Sequence, residues 1–299
     1  MVFGDVTLQP DWRMIESEVP ELVVRSVILL GEGWTGTAYR VNDELVFKFP
    51  KRAAEWDELD REIAFPAYAR PFIPLPVADH LYQIRNSSGA PHGYAVYRSL
   101  PGNALDVDSL SDAERAAVAK ALARFLRALH DMKAGPDITP ILREDDERAV
   151  AEQYYRDAQE SVAPNLTVDQ RRRLDDLFSN HLDDSANFPT ASRIIHADLS
   201  ADRVLCEGEK VTGILDWGDV SLGDPDYDFS YLYWGLGEAF VRDIALEYGH
   251  PDPDRLVRKA RYFYAVDQIG TILYGGDRAR AGDEAAARNR LTALLHETA

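Results

Sequence analysis

Along residues 22–49 the chain runs in short apolar and aromatic stretches. VRSVILL, TAYRV and ELVFKF are rich in β-branched and aromatic residues, which predicts a β meander. Asn42-Asp43, between the second and third runs, marks a tight hairpin. From Ala54 to Arg70 the pattern becomes helical, with Leu59, Ile63 and Tyr68 on the apolar side. Pro71, Pro74 and Pro76 end it. Two more strand-like runs, HLYQIR and GYAVYRSL, flank the turn NSSGAPH. Pro101-Gly102 then breaks the pattern, and the chain turns mostly helical. Ser111 and Glu114 have the spacing of a capping box. Behind them, Val118, Leu122, Phe125, Leu126 and Leu129 recur at three-and-four spacing. Helical patterns return near 144–160 and 168–182 and again at the C-terminus. Between these last two regions lie an apolar strand, SRII, and two β-type runs, RVLCE and VTGILDW, joined by a polar turn at Gly208. The expected class is α+β, with a β-rich lobe over 1–99 and a mostly helical lobe over 100–299.

Composition narrows the classes. The chain has 299 residues, enough for two lobes and a sizeable core. Lys plus Arg is 33 and Asp plus Glu is 51, a net charge of −18. That disfavours a nucleic-acid partner, whose phosphates it would repel, and suits a cationic one. An acidic, soluble surface alone also accounts for it. No apolar run approaches the roughly 20 residues of a membrane span. The N-terminus lacks a signal-peptide layout, so no membrane partner and a cytoplasmic location are expected. The single Cys206 rules out an internal disulfide and reads as a buried core thiol.

Gly31, Gly33 and Gly36 match G-x-G-x-x-G. The loop lies between two predicted strands, not between a strand and a helix. This is the layout of a flap whose backbone N–H groups approach nucleotide phosphates. The Walker pattern is absent. Lys48 follows in the third strand, on one face with Val46 and opposite Phe47 and Phe49. A lysine among apolar neighbours needs a carboxylate. Glu62 on the next helix is the first choice, and Glu58 the reserve. Backbone around Arg98, Ser99 and Leu100 is placed to meet the base edge. Downstream, Asp198 falls in a short loop after SRII, and Asp216 at the end of the second β-run. One carboxylate can orient and deprotonate a hydroxyl while the other holds Mg²⁺ against a triphosphate.

His196-Ala-Asp198, Asp216-Trp-Gly218 and Gly223-Asp224-Pro225-Asp226-Tyr-Asp228, in this order behind the glycine loop, resemble the aminoglycoside phosphotransferase family. VFKFPK, TGILDWGD, DFSYLY and ILYGG are similar to segments of its 2″-phosphotransferases. The resemblance covers nearly the whole chain and implies a two-lobed protein-kinase-like fold. It implies Asp198 as catalytic base, Asp216 as metal ligand, and structural roles for His196 and Asp228. Asp219 and Asp224 read as turn or surface carboxylates. Arg203 departs from the pattern, since the family carries Asn or His there as a second metal ligand. A guanidinium only donates hydrogen bonds and cannot coordinate Mg²⁺. Three arrangements are open. Asp202 takes the ligand's place, although strand alternation would turn it to the opposite face. Or Asp216 alone holds the metal and Arg203 contacts phosphate. Or the protein binds nucleotide with little transfer.

The same resemblance puts the acceptor against Glu238 and Asp267, with rings from Tyr231, Trp234 and Tyr274. Carboxylates and rings suit ammonium groups. The expected function is transfer of the γ-phosphate of ATP or GTP, with Mg²⁺, to a hydroxyl of an aminoglycoside. Two alternatives stand beside it: a kinase for another alcohol, such as a macrolide or metabolite, and a nucleotide-binding regulatory protein.

Overall fold

Short-range hydrogen bonding and alternating burial build the first half of the molecule around one antiparallel sheet. In the computed structural model, residues 10–276 and 282–296 are described. Helix α1 (Trp12–Glu18) starts at Asp11, whose carboxylate accepts from the Arg13 and Met14 N–H groups. Strands β1 (Val27–Glu32), β2 (Gly36–Val41) and β3 (Leu45–Pro50) follow as the predicted meander. Asn42 and Asp43 have φ of 55° and 59°, the left-handed conformation a two-residue hairpin turn requires. Helix α2 (Trp56–Ala69) comes next, then β4 (His80–Ile84) and β5 (Tyr94–Arg98). The five strands run in the order β1-β2-β3-β5-β4. Alternation sorts β3. Phe47 and Phe49 pack under α1, where the Trp12 ring meets them edge-on at 5.5 and 5.8 Å. Val46 and Lys48 face the other way, Lys48 toward α2.

The second half is helical with two small sheets. Its elements are β6 (Asn103–Ala104), α3 (Asp112–Asp131), β7 (Arg143–Glu144), α4 (Glu147–Ser161), α5 (Val168–Leu182), β8 (Arg193–Ile195), β9 (Val204–Glu207), β10 (Lys210–Ile214), β11 (Ser221–Gly223), α6 (Ser230–Tyr248), α7 (Pro253–Tyr274) and α8 (Asp283–His296). The Ser111–Glu114 capping box forms. All five predicted apolar positions of α3 are fully buried, in one core with α6 and α7. Gly237, at φ 82°, kinks α6. The sheets order as β10-β9-β6 and β7-β11-β8. Trp217, fully buried, lies between Phe65 of α2 and Phe125 of α3. The loop after β10 is thereby clamped between the halves. Among the described residues no helix is long and apolar enough to cross a membrane.

Three local expectations need correction. Arg203 is not the first residue of a strand: 201–203 form a 3₁₀ turn and β9 begins at Val204. Asp202 and Arg203 therefore do not alternate across a sheet; their side chains meet at 2.7 Å. Asp224 is not a surface carboxylate. It is buried and pairs with Lys259 of α7, which also bonds Asp226 at 2.8 Å.

His181 of α5 is buried and stacks on Tyr262 at 3.6 Å. Burial, with Lys259 and Arg148 nearby, holds its pKa down to about 3. The unfolded chain takes up this proton near pH 6.5 and the folded one does not, so stability is lost as pH falls from 6.5 toward 3. His181→Phe keeps the stacking and removes the proton. Relative to the parent, it should gain about 2 kcal/mol between pH 7 and pH 5, read from denaturant midpoints. Parallel pH profiles would discount this.

Candidate active site

Lys48 sits where the halves meet. Its Nζ bonds Glu62 of α2, the first-choice partner, and donates to Asp216 Oδ1 at 2.9 Å. Burial opposes the lysine charge, but Asp216 and Glu62 outweigh it and raise the pKa well above the usual value. Burial likewise pushes Glu62 up. Glu58, the reserve, is engaged elsewhere: it accepts from the Thr35 hydroxyl at 2.7 Å. It also packs on Gly218, where an added Cβ would lie 2.5 Å from Glu58 Cγ. Beneath the glycine loop an open cleft is lined by Thr35, Gly36, Lys48, Glu58 and Glu62 among others. Gly36 must be glycine for packing, because a Cβ would stand 2.9 Å from the Phe49 carbonyl oxygen. An added Cβ would meet nothing at Gly31 and only the Gly36 carbonyl oxygen, at 3.7 Å, at Gly33. At the hinge, the Arg98 and Ser99 N–H groups already donate to Asp79 and Glu44 carbonyls, at 3.4 and 2.8 Å. Leu100 packs against Gly213 of β10.

A network of buried bonds shapes the loop carrying Asp198. Asp228 accepts the N–H groups of His196 at 2.9 Å and Ala197 at 2.8 Å. His130 of α3 donates to the same carboxylate from Nε2 at 3.0 Å. Ala197 holds φ 64°, a conformation alanine seldom adopts, and these bonds stabilise it. The His196 ring, fully buried, donates from Nε2 to the Leu215 carbonyl at 3.0 Å and accepts the Asp198 N–H on Nδ1 at 3.3 Å. Burial lowers its pKa, so it stands as a neutral bracket between the Asp198 and Asp216 loops. Asp216 itself has φ 65°. Burial pushes the Asp198 carboxyl up to about 7, with Arg203 pulling against it and Asp216 and Asp219 adding to it. A carboxylate of that basicity suits proton acceptance near neutral pH.

Arg203 joins the loops. Nη2 bonds Asp198 Oδ2 at 3.2 Å, Nη1 bonds Asp202 Oδ2 at 2.7 Å, and Nε lies 3.2 Å from Asp216 Oδ2. Burial opposes this charge, and the three carboxylates raise the pKa above the ordinary arginine value. Asp216 thus has a cation on each oxygen. Burial works against its charge, but Lys48 and Arg203 hold it below the usual carboxylate range. Asp202 is exposed at the rim. Among the described residues no three His, Cys, Asp or Glu side chains form a cage for a metal ion. Mg²⁺ carried by a nucleotide takes one or two carboxylates and keeps water and phosphate ligands. Asp216 is a hard oxygen donor of the required kind. The guanidinium at 203 does not fit as a ligand.

On the helical side Asp267 of α7 accepts from the Tyr227 hydroxyl at 2.7 Å. Burial pushes its carboxyl up to about 7 against hydrogen bonds from Tyr227 and Tyr231. Tyr231 is half-buried, edge-on to Tyr264. Trp234 is exposed and stacks on Tyr264 at 5.0 Å. Glu238, just past the α6 kink, is exposed and pairs with Arg242 at 3.2 Å. Tyr274 is exposed and bonds Asp157. Asp267, Tyr227 and Tyr231 are thus gathered, while Glu238 and Tyr274 have surface partners. Sequence reasoning missed His130, Arg61 and Lys259. Arg61, buried on α2, donates to the Gly218 carbonyl at 2.6 Å and braces the Asp216 loop. Their sequence signal was slight, because nothing local on these amphipathic helices marks their distant partners.

A sheet-borne lysine tied to a helix carboxylate and to an aspartate of the opposite half, over a histidine-bracketed loop, defines a kinase-like phosphotransferase fold. The chain belongs to the phosphotransferase enzyme family, whose model matches residues 26–257. Among solved structures it is similar to the GDP and kanamycin complex of APH(2″)-IIIa, with TM-score 0.85 and 28% identity, covering 95% of this chain and 97% of that one. The GDP complex of wild-type aminoglycoside 2′-phosphotransferase-IIIa gives TM-score 0.84 and 27% identity over 95% of each chain. Macrolide 2′-phosphotransferase MphH from Brachybacterium faecium shares the fold at TM-score 0.70 and 21% identity, over 97% of this chain and 99% of that one. Among curated proteins, the uncharacterized protein YcbJ of Bacillus subtilis (strain 168) is 29% identical over 123 residues. That match spans 40% of this chain and 38% of the length of YcbJ.

Proposed function

We propose that the protein transfers the γ-phosphate of ATP or GTP to a hydroxyl of an aminoglycoside in the cytoplasm. The observation that carries this is the convergence of Lys48, Asp198 and Asp216 at the junction of the halves. The 1–99 half holds the nucleotide. Gly31 and Gly33 leave room for phosphates, and Lys48 neutralises them. With the Arg98 and Ser99 N–H groups engaged, Leu100 is the hinge residue left to donate to the base. The 100–299 half holds the acceptor. Asp198 orients the attacking hydroxyl and takes its proton as the oxygen bonds to the γ-phosphorus and the bridging oxygen leaves. Asp216 is the residue to hold Mg²⁺, which when bound supplies charge neutralisation on the phosphates. Asp267, with Tyr231 and Trp234, lines the acceptor side, and Glu238 and Tyr274 complete its rim. The GDP and kanamycin ligands named for the similar structures support this reading.

A second reading, a kinase for another alcohol, draws on the shared macrolide phosphotransferase fold. A nucleotide-consumption assay over aminoglycosides, macrolides and small metabolic alcohols separates them. Turnover with aminoglycosides and phosphorylated product by mass spectrometry is expected. Turnover only with another class would overturn the acceptor assignment. Tight nucleotide binding with no product from any acceptor would favour the regulatory alternative.

A further inference from the structure

Three carboxylates, Asp198, Asp202 and Asp216, converge on one point of the phosphotransfer site, and a guanidinium of the same chain stands there. The three do not close into a cage for a metal ion; they stand around the guanidinium instead. Arg203 meets Asp202 through Nη1 and Asp198 through Nη2 and Nε, and its Nε also lies 3.2 Å from Asp216 Oδ2. It is half-buried and anchored by the 3₁₀ turn at 201–203, so its planar fork is held from both ends. Its bonds to Asp202 and Asp198 use one hydrogen on each terminal nitrogen. A second hydrogen on each remains for an oxyanion, the geometry in which arginine grips phosphate. A further divalent ion beside this fork would meet an always-ionised charge, with Asp198 and Asp202 already engaged.

We propose that Arg203 is the site's own resident cation. It grips phosphate oxygens directly and limits the protein to one divalent ion per bound nucleotide, next to Asp216. This rests on the phosphotransferase reading. Arg203 thereby ties nucleotide binding less strictly to metal than an all-metal site would. The guanidinium supplies part of the charge neutralisation before any ion arrives.

The test counts ions. Manganese(II) is titrated into protein with a β,γ-imido analogue of ATP or GTP, and bound ions are counted by electron paramagnetic resonance. One ion per complex is expected for the parent protein and two for Arg203→His, which exchanges the guanidinium for a ligand-competent ring. Two ions in the parent, or one in a folded Arg203→His, would overturn the proposal. Arg203→Lys gives an independent arm. It keeps the charge but loses the fork, so it should stay at one ion while binding the metal-free analogue in chelator about tenfold more weakly. Unchanged metal-free affinity in Arg203→Lys would also overturn it. Absence of any analogue binding by the parent would defeat the phosphotransferase reading itself. Two bound ions with normal analogue binding would defeat this inference alone.

Discussion

Asp198→Asn should lower turnover by about 10²–10⁴-fold while leaving nucleotide affinity within a few-fold of the parent. The substitution preserves shape, and one oxygen remains to accept from Arg203, whose bonds reach Asp198 through Oδ2. The backbone bond from the Asp198 N–H to His196 is also untouched, so the loop should stay folded. What is lost is the ability to accept a proton. Burial makes the native carboxyl unusually basic, near 7, which matches the demand of accepting a hydroxyl proton in neutral solution. Lys48 and Asp216 lie on the nucleotide side and are unaltered, which is why binding should survive. The check is single-turnover product formation beside a direct nucleotide-binding titration. An Asp198→Asn variant with near-parental turnover would remove the residue from the base role.

The largest expected effect on stability lies at Asp228. Its carboxylate, 1% exposed, takes the His196 and Ala197 N–H groups and the His130 ring. Asp228→Ala would strand these donors in a site closed to water, at a cost of about 3–5 kcal/mol. It would also release Ala197 from its left-handed backbone and let the Asp198 loop relax. A melting temperature roughly 5–8 °C lower is expected, with activity falling further than stability at temperatures where the variant remains folded. Asp228→Asn should be intermediate, because its carbonyl can still accept while its amide nitrogen faces another donor. A melting temperature within 2 °C of the parent for Asp228→Ala would mean the network carries little of the fold.

Much of this site could be read from local pattern, and the unread parts share one property. Lys48 and Glu62 were legible because alternation assigns a lysine to a face and helical spacing assigns a carboxylate opposite. Asp198, Asp216 and Asp228 stand in ordered motifs, and the fold ties them together through the His196 loop and Arg203. Asp224 was misjudged because its partner Lys259 lies 35 residues away on another element. The same holds for His130, 98 residues before Asp228. Arg203 was recognised as a departure. Its posture was not, because the pattern suggested a strand where the chain makes a 3₁₀ turn.

By itself, then, the sequence determined the β meander, the hairpin turn, the capping box and the apolar faces of the helices. Periodicity encodes which face of an element is apolar, and motifs encode which side chains follow a given turn. Only the tertiary structure decided which carboxylate each cation holds: Glu62 and Asp216 for Lys48, three aspartates for Arg203, Asp224 and Asp226 for Lys259. Ion pairing depends on separations of about 3 Å between side chains from distant segments. Such separations are set when the halves pack against each other, and no local pattern carries them.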